Sequence, residues 1–294
     1  MTIAEYGERW LRESASRLKA RTLRSYTGLF RLHVAPAFAQ MKVAQLHRSH
    51  VKRLLVDKHE LGLSKDTIRL IRATISAIYA AAIDDGVVLI NPAALPRRAK
   101  ALGRSPKSDI RPFTEPELGA LLMTAQKVDS AYYAFFLLLA RAGLRPGEAR
   151  ALKWSNVDFR SRKLTVAHSL SELAEIEETK TSTTRHVDMS QELADPLMRR
   201  LSDRARTIAN IGGKEPPEWV FHNRRGNPLG DGRVRKHFQR LLRVCKISAH
   251  RVYDLRHTFA TLLLSKGAPI TYVASQLGHA NPNNAAMVRA LASD

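Results

Sequence analysis

The sequence predicts a mainly helical chain that carries a small β-hairpin or sheet in its second half. In the first 95 positions apolar residues recur at three- and four-residue steps, which is typical of amphipathic helices. Around residues 157–166 the pattern changes to alternation, which is typical of a half-buried hairpin. Residues 96–112 show no apolar period. We therefore expect a helical domain at 1–95, a linker at 96–112 and a mixed α+β domain at 113–294.

The charge of the chain indicates its class of partner. The 294 residues include 48 Lys and Arg against 27 Asp and Glu, which is a formal net charge of +21. A globular chain this basic is usually a polyanion binder, because each phosphate that it neutralises releases condensed counterions. A basic surface that serves only solubility is the alternative.

The cysteine count and the apolar runs indicate the compartment. Cys245 is the only cysteine, so an intrachain disulfide and a thiolate metal cluster are excluded, and we expect a small buried residue there. The first residues show no signal peptide, and the longest apolar stretch, 131–140, is too short to span a bilayer. We therefore expect a cytoplasmic protein with no membrane partner.

One long helix stands out in the first domain. Ser64 or Asp66 can cap it, and the segment Asn91-Pro92-Ala93 predicts the end of the helical run, since proline disfavours helix in the residue before it. Its apolar face consists of Ile68, Ile71, Ile75, Ile78 and Ala82. A cationic stripe lies about a quarter turn away: Lys65, Arg69 and Arg72. This stripe is either a solvated helix edge or a surface that contacts DNA phosphates.

The linker is also basic, and its cations are interspersed with Gly, Ser and Pro. The candidate DNA-binding residues in it are Arg97, Arg98, Lys100 and Arg104. A basic tether between two domains suits a protein that closes around a duplex as a clamp, and an ordinary surface loop is the alternative.

The elements of the second domain are predicted in order along the chain. A helix follows Thr114 to about Gln126, and the strongly apolar helix 130–141 ends at Gly143. Pro146 and Glu148 then stand where the first and third residues of a new helix belong. After the hairpin at 157–166 we expect a strand at 185–189 and helices from about 191, at 233–244, at 254–265 and at 269–277.

Two motifs in this domain suggest its chemistry. The first is Ala140-Arg141-Ala142-Gly143-Leu144-Arg145-Pro146-Gly147-Glu148. The second is Tyr253-Asp254-Leu255-Arg256-His257-Thr258-Phe259-Ala260, followed by Leu277-Gly278-His279. Arg145 lies just before a helix, and Arg256 lies in the first turn of a helix that Asp254 is expected to cap. Two guanidinium groups on one phosphodiester can stabilise a five-coordinate transition state without a metal ion.

Together these motifs resemble the catalytic boxes of the tyrosine recombinases, the phage integrase family. The resemblance implies that Arg145 and Arg256 clamp the scissile phosphate and that His279 hydrogen-bonds it. It also implies a hairpin lysine that protonates the departing 5′ oxygen. Lys180, ahead of a strand rich in hydroxyl and basic groups, resembles that lysine, and Lys163 is the alternative.

Two positions depart from the family pattern. Tyr253 stands where the commoner pattern has a histidine, and its hydroxyl can still hydrogen-bond phosphate or the nucleophile. The nucleophilic tyrosine of the family lies nine or ten positions after the histidine, and those positions hold Val288 and Arg289 here. The spacing favours Arg289 as the position that lacks tyrosine. Relatives continue into a segment that packs on a neighbouring protomer, so the catalytic domain is expected to be short at its C-terminus.

The resemblance thus implies a helical, SAM-like core-binding domain at 1–95 and a catalytic domain at 113–294. It implies an integrase-type, site-specific recombinase of a mobile element. Such an enzyme cleaves and rejoins duplex strands through a 3′ phosphotyrosyl bond, and the outcome can be DNA integration, excision or resolution. It uses no cofactor or metal, and it assembles as a homo-tetramer on its recombination sites. We expect it to be nucleoid-associated when it is bound to DNA.

Arg289 leaves a second hypothesis open, which is a catalytically inactive DNA-binding protein of the same fold that occupies recombination sites. A metal-dependent nuclease is disfavoured because the second domain shows no convincing carboxylate cluster for paired metals. A helix-turn-helix regulator is disfavoured because it would not need both arginine motifs.

Overall fold

The computed structural model describes residues 1–94, 111–128, 130–171, 176–178, 184–203 and 217–278. The chain divides into two compact units, Met1–Lys107 and Ser108–Asp294. The fold is mainly helical with a small antiparallel sheet, as the sequence predicts. The exact domain boundaries, 95/96 and 112/113, stay predictions. In the part of the chain that the structure describes, every helix is too short or too polar to cross a bilayer.

The first unit is built from helices. They are α1 (Ile3–Glu13), α2 (Ala20–Leu29), α3 (Ala35–Phe38), α4 (Arg48–Glu60) and α5 (Lys65–Asp84). A π-helical turn, Phe30–Val34, joins α2 to α3. Its first residue, Phe30, is completely buried in the core of the unit, where it packs with residues of α1 and α5.

Helix α5 has the predicted face and one of the two predicted caps. The apolar residues Ile71, Ile75, Ile78 and Ala82 are all buried, and Ile68 is half-buried at the edge of the face. The backbone N–H of Thr67 donates to Oγ of Ser64 at 3.2 Å, so Ser64 rather than Asp66 is the cap.

The end of this helix was predicted wrongly. Helix α5 ends at Asp84, and Gly86 follows in a left-handed conformation with a φ of 70°, so the chain turns well before Asn91. The side chain of Asn91 instead donates to the carbonyl oxygen of Ser76 at 2.9 Å and accepts from the N–H of Ala93 at 3.0 Å. Asn91 therefore fastens the chain back onto α5 and does not end the helix.

The second unit contains the predicted elements in the predicted order, with one additional pair of strands. Its helices are α6 (Glu115–Val128), α7 (Ser130–Ala142), α8 (Pro146–Arg150), α9 (Gln191–Ser202), α10 (Asp231–Val244), α11 (Asp254–Ser265) and α12 (Ile270–Leu277). Its strands are β1 (Val157–Asp158), β2 (Lys163–Val166), β3 (His168–Leu170), β4 (Ile176–Glu178) and β5 (Arg185–Asp188).

The strands form two small antiparallel sheets. One has the order β1-β2-β5, and its central pair sets Leu164 opposite Val187, both completely buried against the helices. The other is the β3–β4 pair, which the sequence analysis did not predict. Because β5 is paired along its length with β2, the side chains that β5 carries have fixed positions.

Helix α7 is the centre of the second unit. Its middle is apolar, and residues 135–139 are completely buried. Helices α6, α9 and α11 pack around it, as expected for a strongly apolar helix. Its end therefore lies inside the unit, and the first motif follows directly from that end. Cys245, expected to be buried, is half-buried, and its thiol lies 3.2 Å from Oγ1 of Thr124.

The cap of α5 provides a test of local stability. Ser64→Ala removes the acceptor for the N–H of Thr67 and should cost about 1 kcal/mol. Amide hydrogen exchange in the first turn of α5 should accelerate about fivefold. Ser64→Asp keeps an acceptor and should leave the exchange rates close to those of the parent. Equal rates for Ser64→Ala and the parent would show that the cap contributes nothing.

Candidate functional site

Gly143 brings the first motif close to the second. It follows α7 with a φ of 63°, the left-handed C′ conformation that the sequence predicted. A Cβ at this position would lie 2.3 Å from Cδ1 of Phe259 and 3.0 Å from Cδ2 of Leu277. Only glycine therefore allows the end of α7 to approach both α11 and α12 so closely.

Arg145 precedes α8, in which Pro146 and Glu148 are the first and third residues, as predicted. The Arg145 backbone N–H donates to Oε2 of Glu148 at 2.8 Å, and its Nη1 donates to Oε1 at 2.6 Å. The side chain of Glu148 is 1% exposed and that of Arg145 is 20% exposed. Glu148 thus orients an arginine that still reaches solvent.

Arg256, which lies in α11, approaches the same carboxylate of Glu148. Its side chain is 2% exposed and donates to the carbonyl oxygens of Gly143 at 2.7 Å and Leu277 at 2.6 Å. Its Nη1 lies 3.9 Å from Oε2 of Glu148. Burial lowers the pKa of Arg256 to about 10, so the group remains a cation at neutral pH. Two arginines that are 111 positions apart in sequence therefore meet at one carboxylate.

Asp254 does not cap α11 as expected. Asp254 is the first residue of the helix, so its carboxylate does not cap it. The carboxylate instead accepts from the backbone N–H of Arg251 at 2.7 Å and holds the turn that leads into the helix. Tyr253 occupies the cap position without a side-chain cap hydrogen bond.

Tyr253 lies at the surface beside the arginine site. The side chain is partly exposed, and its ring packs edge-on against the ring of His257 with 5.0 Å between centroids. Burial lowers the pKa of His257, which favours the neutral imidazole near pH 7. The hydroxyl of Tyr253 makes no hydrogen bond to the residues in the described ranges, which leaves it able to meet a ligand.

The contacts of Glu148 and Arg185 were not predicted from the sequence. The two terminal nitrogens of Arg185, Nη1 and Nη2, donate to Oε1 and Oε2 of Glu148 at 3.0 and 2.6 Å. Burial alone would raise the pKa of Glu148, but Arg185, Arg145 and Arg256 outweigh it and lower the pKa to about 2. One signal was available, because a glutamate three residues after a cap position is the spacing of a capping box.

Helix α12 is fastened to β5 next to this cluster. Nε of Arg185 donates to the carbonyl oxygen of Gln276 at 3.0 Å, and Oε1 of Gln276 accepts from the N–H of Asp188 at 2.8 Å. The hydroxyl of Tyr272 donates to Oδ2 of Asp188 at 2.9 Å. Gly278 then ends α12 with a φ of 64°, and a Cβ there would lie 2.8 Å from Cδ of Arg185.

Several of the predicted site residues lie outside the described residues. These are Lys180, His279, Arg289 with its alternative Val288, and the linker residues Arg97, Arg98, Lys100 and Arg104. The alternative to Lys180, Lys163, is exposed in β2 and lies opposite Asp188 in the register.

The cationic stripe of α5 divides into two parts. Lys65 and Arg69 are exposed, and Arg69 pairs with Asp66 at 3.1 Å on the surface. Arg72 is half-buried and donates to the carbonyl oxygen of Ala93 at 2.9 Å. Arg72 therefore has a structural contact within the first unit, whereas Lys65 and Arg69 face solvent.

Both halves of the chain match patterns of one family. Residues 111–290 match the phage integrase family, and residues 2–58 match the phage integrase N-terminal SAM-like domain. A tyrosine recombinase XerC-like protein of Caldanaerobacter subterraneus subsp. tengcongensis is 24% identical over 307 residues, which cover 96% of this chain and 77% of that protein. Tyrosine recombinase XerC of Bacillus pumilus is 29% identical over 231 residues, which cover 77% and 71% of the two chains.

Solved structures show the same fold. The Tn1549 transposon integrase in complex with a circular intermediate DNA superposes with a TM-score of 0.81 at 21% identity, over 98% of this chain and 95% of that chain. A lambda integrase tetramer bound to a Holliday junction gives a TM-score of 0.73 at 20% identity, over 98% and 77%. At these identities the likeness is one of fold.

The ionised state of Glu148 should make the second unit sensitive to acid. A pKa of about 2 in the folded chain, against 4.5 as the ordinary value, corresponds to about 3 kcal/mol of stability. Because the folded pKa is lowered, this contribution is complete above about pH 5. It falls to less than half by pH 3 and disappears as the pH passes below 2.

The measurement compares the parent chain with its Glu148→Gln variant by urea unfolding at pH 7, 5 and 3. A Trp10→Phe background leaves two tryptophans, Trp154 and Trp219, which both lie in the second unit and report its unfolding by fluorescence. The difference in unfolding free energy between the two proteins should shrink between pH 5 and pH 3. A difference that stays constant over this range would contradict the lowered pKa.

Proposed function

The chain belongs to the phage integrase family of tyrosine recombinases, and we propose that it binds duplex DNA at recombination sites with Arg145 and Arg256 on one phosphate. The observation that carries this proposal is the meeting of the two arginines at the ionised carboxylate of Glu148. Both guanidinium groups are held by protein contacts before any ligand arrives. Such preorganised cations stabilise charge that develops on a phosphate without reorganising.

The two arginines are suited to different roles in phosphate binding. Arg145 is partly exposed and can donate hydrogen bonds to a non-bridging oxygen of an incoming phosphodiester. Arg256 is buried next to the same carboxylate and contributes mainly its positive charge, which acts strongly in a low-dielectric setting. We propose that His279 donates a further hydrogen bond to the phosphate, and that Tyr253 contacts it or the attacking group.

In the full reaction the oxygen of a tyrosine hydroxyl would attack phosphorus, its proton would leave to solvent, and a 3′ phosphotyrosyl bond would form while the bond to the 5′ oxygen breaks. We propose that Lys180 gives its proton to that leaving oxygen. A 5′ hydroxyl of the partner strand would then attack the phosphotyrosyl bond and release the tyrosine. No cofactor is needed, because the phosphotyrosyl bond keeps the energy of the original phosphodiester.

Arg289 separates two candidate functions. A guanidinium cannot form the phosphotyrosyl bond, and neither can the side chain of Val288 in the alternative register. The first candidate is a recombinase that performs strand exchange when a tyrosine is present at position 289. The second is a DNA-binding protein of the same fold that occupies recombination sites without cleaving them. Arg289 itself favours the second.

We propose double-stranded DNA as the partner of both units. The core-binding domain, 1–95, and the basic linker, 96–112, would hold the phosphate backbone, and the catalytic domain, 113–294, would hold the scissile phosphate. Four protomers would assemble across two DNA sites, within the cytoplasm and its nucleoid. On α5 the exposed Lys65 and Arg69 are the better phosphate contacts, since Arg72 already donates to Ala93.

Suicide-substrate cleavage distinguishes the two functions. The DNA carries the attachment sequences that flank the gene, with a nick that traps the covalent adduct. We expect no adduct from the chain as it stands or from Arg289→Phe, and an adduct from Arg289→Tyr. In the Arg289→Tyr background, Arg145→Ala should reduce adduct formation by at least about 100-fold, since it removes a preorganised charge.

Each remaining outcome has a distinct meaning. An adduct from the unaltered chain would identify another nucleophile and contradict the assignment of position 289. If Arg289→Tyr binds the DNA but forms no adduct, the DNA-binding function is favoured.

The salt dependence of duplex binding tests the phosphate contact of Lys65. Each neutralised phosphate contributes about 0.9 to the slope of log K against log salt. Lys65→Ala should lower the slope by about that amount, and Lys65→Arg should keep it because the charge is retained. Fluorescence anisotropy between 50 and 200 mM salt measures both. An unchanged slope for Lys65→Ala would mean that Lys65 makes no phosphate contact.

A further inference from the structure

Arg185 makes side-chain hydrogen bonds with all three of its guanidinium nitrogens. Its side chain is 10% exposed. The two terminal nitrogens take the two oxygens of Glu148 side by side, and Nε takes the carbonyl oxygen of Gln276. This two-pronged geometry is the strongest that a guanidinium and a carboxylate can form. Arg185 has little capacity left for a ligand, in contrast to Arg145.

The charges of the cluster explain what such a residue does. Three arginines surround the carboxylate of Glu148, which is a net charge of +2: Arg145, Arg185 and Arg256. A phosphodiester carries one negative charge, and its five-coordinate transition state carries two. Without Arg185 the net charge would be +1, and Glu148 would be shared by the two arginines that should meet the phosphate.

The hydrogen bonds also indicate that the three arginines compete for the oxygens of Glu148. Oε1 of Glu148 accepts from Arg145 and Arg185 together, and Oε2 accepts from Arg185 and the Arg145 backbone while Arg256 lies 3.9 Å away. Removing Arg185 frees one acceptor direction on each oxygen. The guanidinium of Arg256 could then close the 3.9 Å gap, and that of Arg145 could turn further inward.

We propose that Arg185 is a positioning residue that occupies the carboxylate of Glu148, so that Arg145 and Arg256 remain oriented towards the substrate phosphate. Its bond to Gln276 adds a second effect, because it holds the end of α12 from which the chain continues to His279. This inference rests on the proposed phosphate site. It assigns Arg185 no contact with the substrate.

A rescue experiment separates this role from a purely structural one. Arg185→Gln reduces the net charge of the cluster to +1 and leaves Glu148 to compete with the phosphate. Adding Glu148→Gln restores +2 and removes the competitor, while the amide oxygen still accepts from Arg145. A residue that only stabilised the fold would lower the stability of Arg185→Gln and leave the phosphate affinity of its folded molecules unchanged.

The probe is inorganic phosphate, titrated into the full chain and followed by the NMR signals of the arginine Nε–H groups. Phosphate binding at the proposed site is identified as the part of the titration that Arg145→Ala abolishes. We expect Arg185→Gln to weaken this binding about tenfold, as loss of one close charge predicts. The double variant Arg185→Gln/Glu148→Gln should return to within about threefold of the parent. Arg185→Lys keeps the charge and should also stay within threefold.

Equal affinity of Arg185→Gln and the parent would overturn the inference, and so would a double variant as weak as the single one. If Arg185→Gln does not fold, Arg185→Lys decides, and a tenfold loss there would exclude the charge role. An Arg145→Ala chain that binds phosphate as the parent does would overturn the phosphate site itself. In that case the proposed function fails, whereas the first two outcomes leave it intact.

Discussion

The arrangement of the site depends on one buried ion cluster, the carboxylate of Glu148 among three guanidinium groups. Burial of a lone carboxylate would favour its protonation, and three arginines in one small space would repel one another. The carboxylate reduces the repulsion among the arginines, and the arginines keep the carboxylate ionised. The pKa of about 2 at Glu148 is the result of this mutual stabilisation. Because Glu148, Arg185 and Arg256 come from α8, β5 and α11, and Arg145 directly precedes α8, the cluster also holds these elements in register with one another.

Close packing makes that cluster possible. Gly143 and Gly278 both adopt left-handed conformations at helix ends, and a side chain at either would collide with the residues that carry the site. The strongly apolar α7 brings the first of these ends into the interior of the second unit, where Arg256 can reach the carbonyl oxygen of Gly143. The core and the charged site are therefore parts of one packing arrangement.

Local patterns predicted most of the helices and failed where local signals were ambiguous. Ser64, Gly143 and Pro146 are recognisable because capping and helix starts need only neighbouring residues. The end of α5 was placed too late because proline at position 92 is a clearer signal than Gly86, which turns the chain first. Asp254 has the composition of a cap but bonds to the preceding turn. The β3–β4 pair has only three residues a strand, too few for a visible alternation.

By itself the sequence determined the fold class, the family and the two arginines that meet, because hydrophobic period, charge and short motifs are carried by consecutive residues. Only the tertiary structure decided which partners those arginines have. Glu148 and Arg185 lie 37 positions apart, and Arg185 and Gln276 lie 91 apart. No local pattern encodes such pairs, since they follow from how β5, α8 and α12 pack. The same packing left Arg145 partly exposed and Arg185 more enclosed, and this difference in exposure is the basis of the different roles that we propose for them.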